Sequence, residues 1–255
     1  MKRVPSVQRR LELYAERQRS FWNTRNEETA RFERIVTDGP RSEADWAAST
    51  SDAVENIFGQ IAPEADWTIL EIGCGIGRIV SEFLARNLPF RLLIGVDISE
   101  AMIQFARKRI GETPRARFLV NDGYSLRGVE DVSVDFVYSN DMFIHLFDAD
   151  AALSYFREVR RVLAANGLFR FNVRVFDPDT AFTGTLGGRW ARWLYRTGIL
   201  STARHRWAPR EDAEFNGNQY TPQDLRRLVE RSGLRVEIIE PRESHLWCTA
   251  RKLTP

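Results

Sequence analysis

The strongest constraint on the fold lies downstream of Trp67, where short apolar runs alternate with segments of helical periodicity. The chain alternates strand and helix because each crossover helix returns it to start another parallel strand. The pattern therefore predicts a doubly wound α/β fold. Strands are predicted at residues 68–72, 91–96, 116–120, 134–139 and 167–173, with helices at about 76–87, 100–110 and 149–164, the last capped by Asp148 or Asp150.

One helix and two strands are predicted near the carboxyl end of the chain. Thr221 precedes Pro222, a pairing typical of a capping residue followed by the first helical position. Apolar runs at 234–239 and 245–250 predict the last two strands, joined by a hairpin-like connection. The expected sheet has seven strands, mostly parallel, with the last strand antiparallel.

Two regions outside this pattern are expected to flank the sheet. Residues 1–65 carry two polar helical segments separated by a turn at 37–40, and are interpreted as a helical N-terminal cap. Residues 66–255 are interpreted as one domain with an insertion at about 177–219. The insertion leaves the carboxyl side of the sheet, where ligands bind, so it is interpreted as a substrate lid. A packed helix with an exposed arginine face is the alternative.

Composition narrows the classes of function. Hydrophobic residues make up 43% and charged residues 28%, as in ordinary globular chains. No apolar run approaches the roughly 18 to 20 residues of a membrane span, and no apolar signal core is visible, so a cytoplasmic location is expected. A formal charge of +2 does not demand a nucleic-acid partner. Cys74 and Cys248 are expected to be reduced, and His145, His205 and His245 lack metal-ligand spacing, so no metal is predicted.

The first predicted strand runs into a glycine-rich turn, Gly73-Cys74-Gly75-Ile76-Gly77. Gly73 and Gly75 permit positive φ and a close approach of the backbone to a ligand, and Gly77 lets the next helix start close to the sheet. The second strand ends near Asp97, about 20 residues further on, where a carboxylate can bind ribose hydroxyls. The spacing predicts a nucleotide-like ligand at this edge.

Two neighbouring residues favour a sulfonium ligand over a dinucleotide. A nicotinamide-binding turn needs glycine where this chain has Arg78. Glu71, just before the turn, would repel a pyrophosphate but attract a cationic amino or sulfonium group. The turn therefore favours S-adenosylmethionine, although Glu71 could instead hold the loop through backbone amides.

From about residue 67 to 175 the chain resembles the class I S-adenosylmethionine-dependent methyltransferases, in the group that includes bacterial small-molecule enzymes. The resemblance implies a Rossmann-like fold and methyl transfer to oxygen, nitrogen or carbon of a small molecule by in-line displacement, with S-adenosylhomocysteine as the product. The matching motifs are residues 71–77, 95–99 followed by Ala101 and Met102, 118–123, 135–141 and 161–168.

The resemblance also implies individual cofactor contacts. Asp122 would bond the adenine amino group, Ile98 would pack on the adenine, and Met102 would be its soft apolar neighbour. The predicted cofactor-binding residues are Glu71, Gly73, Cys74, Gly75, Gly77, Asp97, Ile98, Met102, Asp122, Gly123 and Asn140.

His145 is the candidate catalytic residue, because a hydroxyl acceptor benefits from a general base beyond the fourth strand. A structural histidine is the alternative, since its neighbours are apolar. Asn140 and Asp141 can hold the acceptor or the amino end of the cofactor, or cap the turn. With the insertion, Trp22 and Trp46 are interpreted as enclosing an apolar or aromatic acceptor.

Three other functions remain compatible with the sequence. A methyltransferase acting on RNA or protein is disfavoured because residues 139–142, Ser-Asn-Asp-Met, lack a proline-aromatic catalytic motif. A non-catalytic module could keep the cofactor pocket without turnover. A nicotinamide oxidoreductase is disfavoured by Arg78 and Glu71. The acceptor and the oligomeric state are left open.

Overall fold

The computed structural model of the protein describes residues 6–24, 43–146, 149–176 and 218–253. The predicted turn at 37–40, Asp148 and nearly all of the predicted insertion lie outside the described residues.

A single sheet is formed, with the strand order β3-β2-β1-β4-β5-β8-β7 and a short β6 beside β5. The strands β1 to β5 are parallel to one another, and β8 is antiparallel to both β5 and β7. This confirms a mostly parallel sheet with an antiparallel last strand. The strands are β1 Thr68–Ile72, β2 Leu92–Asp97, β3 Ala116–Val120, β4 Val134–Ser139, β5 Leu163–Val175, β6 Gln219–Tyr220, β7 Leu234–Arg242 and β8 His245–Lys252.

The eighth strand was not predicted. Strand β6 has two residues and pairs with the end of β5, so it is too short to show a period of two. Strand β5 also begins four residues earlier than predicted, at Leu163, directly after the preceding helix ends at Val162. Element ends are the part of a pattern that periodicity defines least well.

Six α-helices and one 3-10 helix surround the sheet in the described residues. They are α1 Val7–Thr24, α2 Glu43–Phe58, α3 Arg78–Ala85, α4 Glu100–Ile110, the 3-10 helix Phe143–His145, α5 Ala149–Val162 and α6 Pro222–Glu230. The Thr221 hydroxyl accepts from the Asp224 amide at 3.1 Å, which confirms the predicted cap of α6. Asp150 lies inside the first turn of α5, where its carboxylate pairs with Arg10 at 2.5 Å.

Alternation along the strands creates two apolar cores, one on each face of the sheet. On one face Leu70 and Ile72 pack with α5, α6 and residues of α1, while on the other Ile69 packs with α2, α3 and α4. The two N-terminal helices thus join opposite cores, α1 through Tyr14 and α2 through Ile57. Both cysteines are buried free thiols, and no helix in the described ranges is long and apolar enough to cross a membrane.

Candidate active site

A cavity lies at the carboxyl ends of the parallel strands and contains about 820 Å³ of space not filled by atoms, its open mouth included. The strand-end wall consists of residues at or just beyond the carboxyl ends of β1 to β4, and helices α4 and α5 add Met102 and Tyr155. The cap wall consists of α1 residues and the residues that face them at the carboxyl end of the 3-10 helix. The strand-end wall is Gly73, Gly75, Asp97, Ile98, Asn121, Gly123, Asn140, Asp141 and Met142, and the cap wall is Tyr14, Gln18, Trp22, His145 and Leu146.

The glycine turn follows β1 with Gly73, Gly75 and Gly77 all at positive φ. A Cβ on Gly73 would lie 2.5 Å from the Met142 Cβ, so this glycine allows the loops after β1 and β4 to meet. A Cβ on Gly75 would meet no heavy atom within 4 Å, because this residue faces the cavity. Gly77 packs against Ala106 of α4 instead of the cavity. Its left-handed conformation explains why α3 starts at Arg78, two residues later than predicted.

Asp97 ends β2 beside the glycine turn. One carboxylate oxygen accepts from the Gly75 amide at 2.9 Å, and the other accepts from the Ser99 amide at 2.9 Å. Burial raises the pKa of Asp97, while the backbone donors oppose that rise. Each oxygen keeps further lone pairs, so the carboxylate can still accept from a ligand in the cavity.

The ends of β2 and β3 form one continuous surface. A Cβ on Gly123 would lie 2.6 Å from Ile98 Cδ1, which places the two residues in direct contact. The Asp122 carboxylate instead accepts from the Tyr124 and Ser125 amides and the Ser125 hydroxyl at 2.7 to 3.1 Å. These local bonds cap the turn, and Asp122 does not line the cavity.

The polar side chains of the loop after β4 are held in place by hydrogen bonds. The Asp141 carboxylate accepts from Asn140 at 2.8 Å and from Asn172 of β5 at 2.6 Å. The Asp141 amide donates to Asn172 at 2.8 Å, in a backbone conformation with φ of 66°. Asn172 thus stabilises an unusual turn that presents Asn140 and Asp141 to the cavity.

Glu71 points away from the cavity, into the core that contains α2 and α3. It is 2% exposed, and desolvation raises its pKa to about 8 against the opposing effects of Tyr138 and Arg78. Its Oε2, the Tyr138 hydroxyl and the Arg78 Nε are all buried without a hydrogen-bond partner in the described residues. The Arg78 guanidinium donates to the Thr50 hydroxyl of α2 at 3.0 Å. Glu71 therefore belongs to a buried polar cluster that connects the turn with α2.

The cap wall brings α1 close to the end of the 3-10 helix. The Tyr14 hydroxyl donates to the His145 carbonyl at 3.4 Å, and the Trp22 ring lies edge-on to the His145 ring at 5.4 Å. Trp22 also donates to Gln18 at 3.0 Å and packs against Met102. Trp46 of α2 packs in the same small cluster but does not line the cavity, so of the two N-terminal helices only α1 contributes lining residues in the described part of the chain.

The structure brings most of the predicted residues to one cavity. Four predicted residues do not line the cavity: Glu71, Cys74, Gly77 and Asp122. Of these, Cys74 packs beside Gly95 in the core, where burial raises the pKa of its thiol. The predicted residues that line the cavity are Gly73, Gly75, Asp97, Ile98, Met102, Gly123, Asn140 and His145. The pattern missed Tyr14, Gln18, Asn121, Met142, Leu146 and Tyr155.

The cavity suits an adenosyl ligand in three respects. Space is open at Gly75, the Asp97 carboxylate lies beside it, and the apolar Ile98 and Met102 side chains continue the surface toward Gly123. Carboxylates suit ribose hydroxyls, and apolar side chains suit the faces of a purine.

Comparison with known proteins identifies the class of protein as a methyltransferase. A methyltransferase domain family matches residues 69–167. A malonyl-[acyl-carrier protein] O-methyltransferase of Geobacter sulfurreducens is 30% identical over 201 residues, which are 78% of this chain and 68% of that protein. A protein of that name from Ilyobacter polytropus is 28% identical over 46% of this chain, and the match spans 40% of that protein. Another from Halalkalibacterium halodurans is 29% identical over 45% of this chain, and the match spans 41% of that protein.

Solved structures share the architecture. The geranyl diphosphate C-methyltransferase of Streptomyces coelicolor has a TM-score of 0.62 at 15% identity, covering 94% of this chain and 98% of that one. The chain belongs to the class I S-adenosylmethionine-dependent methyltransferases. It is a transferase that uses S-adenosylmethionine, which confirms the predicted enzyme class and cofactor.

Proposed function

We propose that the protein transfers the methyl group of S-adenosylmethionine to oxygen, nitrogen or carbon of a small-molecule acceptor bound beneath the cap wall. The observation that carries this proposal is the cavity itself, which joins the open face of Gly75 and the Asp97 carboxylate to the aromatic residues of α1. The relatives support it, since one is named malonyl-[acyl-carrier protein] O-methyltransferase and a structural neighbour is named geranyl diphosphate C-methyltransferase.

The strand-end wall would hold the cofactor. Asp97 would accept from the ribose hydroxyls, Ile98 and Met102 would pack on the adenine, and Gly123 would let the ring approach the backbone. Asn140 and the backbone at Gly73 would hold the amino-acid end. Bound S-adenosylmethionine supplies a methyl group that a positioned nucleophile can attack. Glu71, Cys74, Gly77 and Asp122 would support this wall from behind, through packing and turn geometry.

The cap wall would hold the acceptor. We propose residues 1–65 as a cap and the insertion at about 177–219 as a lid over the same mouth. Tyr14, Trp22 and Leu146 offer aromatic and apolar surface, which suits an apolar or aromatic acceptor. Holding the acceptor in line with the methyl group and excluding water lowers the barrier by several kcal/mol without any covalent step by the protein.

His145 would act as general base toward a hydroxyl acceptor. Its backbone is held by Tyr14 and by the Met142 carbonyl, which accepts from the His145 amide at 3.1 Å, and its ring meets Trp22. An imidazole at the junction of the two walls can take the acceptor proton as the new bond forms.

Calorimetry with S-adenosylmethionine, S-adenosylhomocysteine and NAD tests the cofactor assignment. We expect both adenosyl compounds to bind and NAD not to bind. A mass-spectrometric screen of metabolite extracts then identifies the acceptor as a compound that gains one methyl group when enzyme and S-adenosylmethionine are both present. The proposal fails if NAD binds and the adenosyl compounds do not, or if methyl groups are found only on amino-acid side chains or on nucleotides of RNA and not on a small acceptor, free or carrier-bound.

The role of His145 is tested by His145→Gln, which keeps a polar side chain of similar length but cannot take a proton. If the acceptor is a hydroxyl, we expect kcat to fall about 100-fold or more, since general bases contribute on the order of 10² to 10⁴. Affinity for S-adenosylhomocysteine should be unchanged. The matched control is His245→Gln on β8, outside the cavity. Turnover at the wild-type rate across pH would remove His145 as a base.

A further inference from the structure

The hydrogen-bond partners of Asn121 and Tyr155 define a donor in the cavity that no motif predicted. Asn121 follows β3 and is 6% exposed, while Tyr155 lies in the middle of α5 and is 3% exposed. Both residues line the cavity, and Asn121 bonds to Gly123, which contacts Ile98. Burying polar groups costs free energy unless they are hydrogen-bonded, so each donor and acceptor of this pair is expected to have a partner.

The orientation of the Asn121 amide is set by the backbone. Its Oδ1 accepts from the Gly123 amide at 3.2 Å, so its Nδ2 must face the other way. That Nδ2 donates to the Tyr155 hydroxyl oxygen at 3.0 Å. The Tyr155 oxygen is therefore an acceptor in this pair, and its own proton is left to donate elsewhere.

No acceptor for that proton is found among the described residues, in which Asn121 is the hydrogen-bond partner of Tyr155. The hydroxyl is buried against the cavity, so a ligand that fills the cavity would take the place of water there. Burial raises the pKa of Tyr155, which keeps the hydroxyl protonated and able to donate.

We propose that the Tyr155 hydroxyl donates a hydrogen bond to a ring nitrogen of the adenine of S-adenosylmethionine, with Asn121 as the positioning residue that aims it. This inference rests on the proposed function. It assigns recognition of the purine to a residue of α5, whereas the Asp122 carboxylate is committed to the Tyr124 and Ser125 amides. Purine ring nitrogens are acceptors, so a donor of this kind suits them.

Tyr155→Phe removes the donor and keeps the ring that packs against Phe143 at a centroid distance of 6.0 Å. Calorimetry with adenosine and with S-adenosylhomocysteine should show both dissociation constants raised about threefold to tenfold, the range for one uncharged hydrogen bond. The matched control is Tyr124→Phe, which loses a hydroxyl outside the cavity and should bind both compounds as the wild type does.

Asn121→Asp is the sharper variant, because it keeps the Tyr155 hydroxyl. A carboxylate at this position can accept from the Gly123 amide and also from Tyr155, which turns the hydroxyl proton away from the cavity. Neutral adenosine is the probe, since it does not respond strongly to the added charge. We expect Asn121→Asp to weaken adenosine binding as much as Tyr155→Phe does, and the double variant to be no weaker than either one.

Two results would overturn the inference: unchanged adenosine affinity in Tyr155→Phe, whether or not S-adenosylhomocysteine binding is weakened, or additive losses in the double variant. Thermal melts of each variant show whether it is folded. If Tyr155→Phe does not fold, Asn121→Asp still tests the inference, because it leaves Tyr155 unchanged. Failure of the wild type to bind S-adenosylhomocysteine would instead remove the proposed function itself. Wild-type binding with an unaffected Tyr155→Phe variant removes only the role of Tyr155.

Discussion

The two walls of the cavity are built in different ways. The strand-end wall consists of residues at or just beyond the ends of four neighbouring parallel strands, so the register of the sheet sets their positions. The cap wall depends on α1, which is distant in sequence and reaches the cavity through side-chain contacts such as Trp22 with His145. A backbone-defined wall suits a ligand that stays the same, whereas a side-chain-defined wall can vary with the acceptor.

The largest effect on cofactor affinity is expected from a substitution that adds an atom to the strand-end wall. Gly75→Ala places a methyl group in open cavity and forces a residue with φ of 50° to carry a Cβ. We expect S-adenosylhomocysteine binding to weaken about 30- to 150-fold, because the added atom occupies ligand space and the cost should lie in the upper part of the range for overpacking, on the order of 2 to 3 kcal/mol. Calorimetry measures the loss.

Gly111→Ala is the matched control for backbone strain. Gly111 follows α4 at φ of 71°, and a Cβ added there would also meet no heavy atom within 4 Å, but this residue does not line the cavity. Its melting temperature should fall at least as far as that of Gly75→Ala, while its affinity stays at the wild-type value. Equal affinity losses in both variants would mean that strain, and not cavity space, causes the effect.

This difference between the walls also explains what the sequence could predict. Gly73, Gly75 and Asp97 were predicted because their conformations and spacing are local properties of a strand and its turn. Tyr155 was missed because it lies in mid-helix, where a tyrosine fits the apolar period of α5 as well as any core residue does. Nothing local marks Tyr14, since its place in the cavity depends on how α1 packs.

Adjacent residues were distinguished only by the structure. The sequence placed a carboxylate after β3, but the carboxylate of Asp122 turns back to cap its own loop, and Asn121 faces the cavity. Glu71 likewise shares a strand face with Ile69, on the side of the sheet that packs on α2 and α3, and does not line the cavity. A one-residue change reverses the face of a strand, so such assignments need the packed sheet.

A second kind of effect, on stability and not on cofactor affinity, is expected from the buried cluster that connects the glycine turn with α2. Between its ordinary pKa of 4.5 and about 8, Glu71 is protonated in the folded chain and ionised in the unfolded chain. Unfolding therefore releases a proton, and the free energy of unfolding falls as pH rises through this window and levels off above it. Glu71→Gln removes this loss, so at pH 8.5 it should be more stable than the wild type by on the order of a few kcal/mol.

Denaturant unfolding at pH 4.5 and 8.5 measures this difference. At pH 4.5 the two proteins should have similar stability, because glutamine resembles the protonated acid. Glu82→Gln, which removes a carboxylate paired with Arg86 on the surface of α3, is the control and should show no comparable gain at high pH. A constant offset between Glu71→Gln and the wild type at both pH values would show that Glu71 does not titrate in this window.

The smallest effect on the cofactor is expected at the cap wall. Trp22→Ala removes the ring that faces His145 and packs beside Met102, yet it leaves the glycine turn and the Asp97 bonds unchanged. We expect S-adenosylhomocysteine affinity to fall by less than about tenfold, equivalent to 1.4 kcal/mol, well below the loss in Gly75→Ala. Trp67→Phe, on the far core beside Phe136, controls for the general loss of an indole. If Trp22→Ala instead loses as much affinity as Gly75→Ala, α1 is an equal part of the cofactor site, and the division between a backbone-defined and a side-chain-defined wall is wrong.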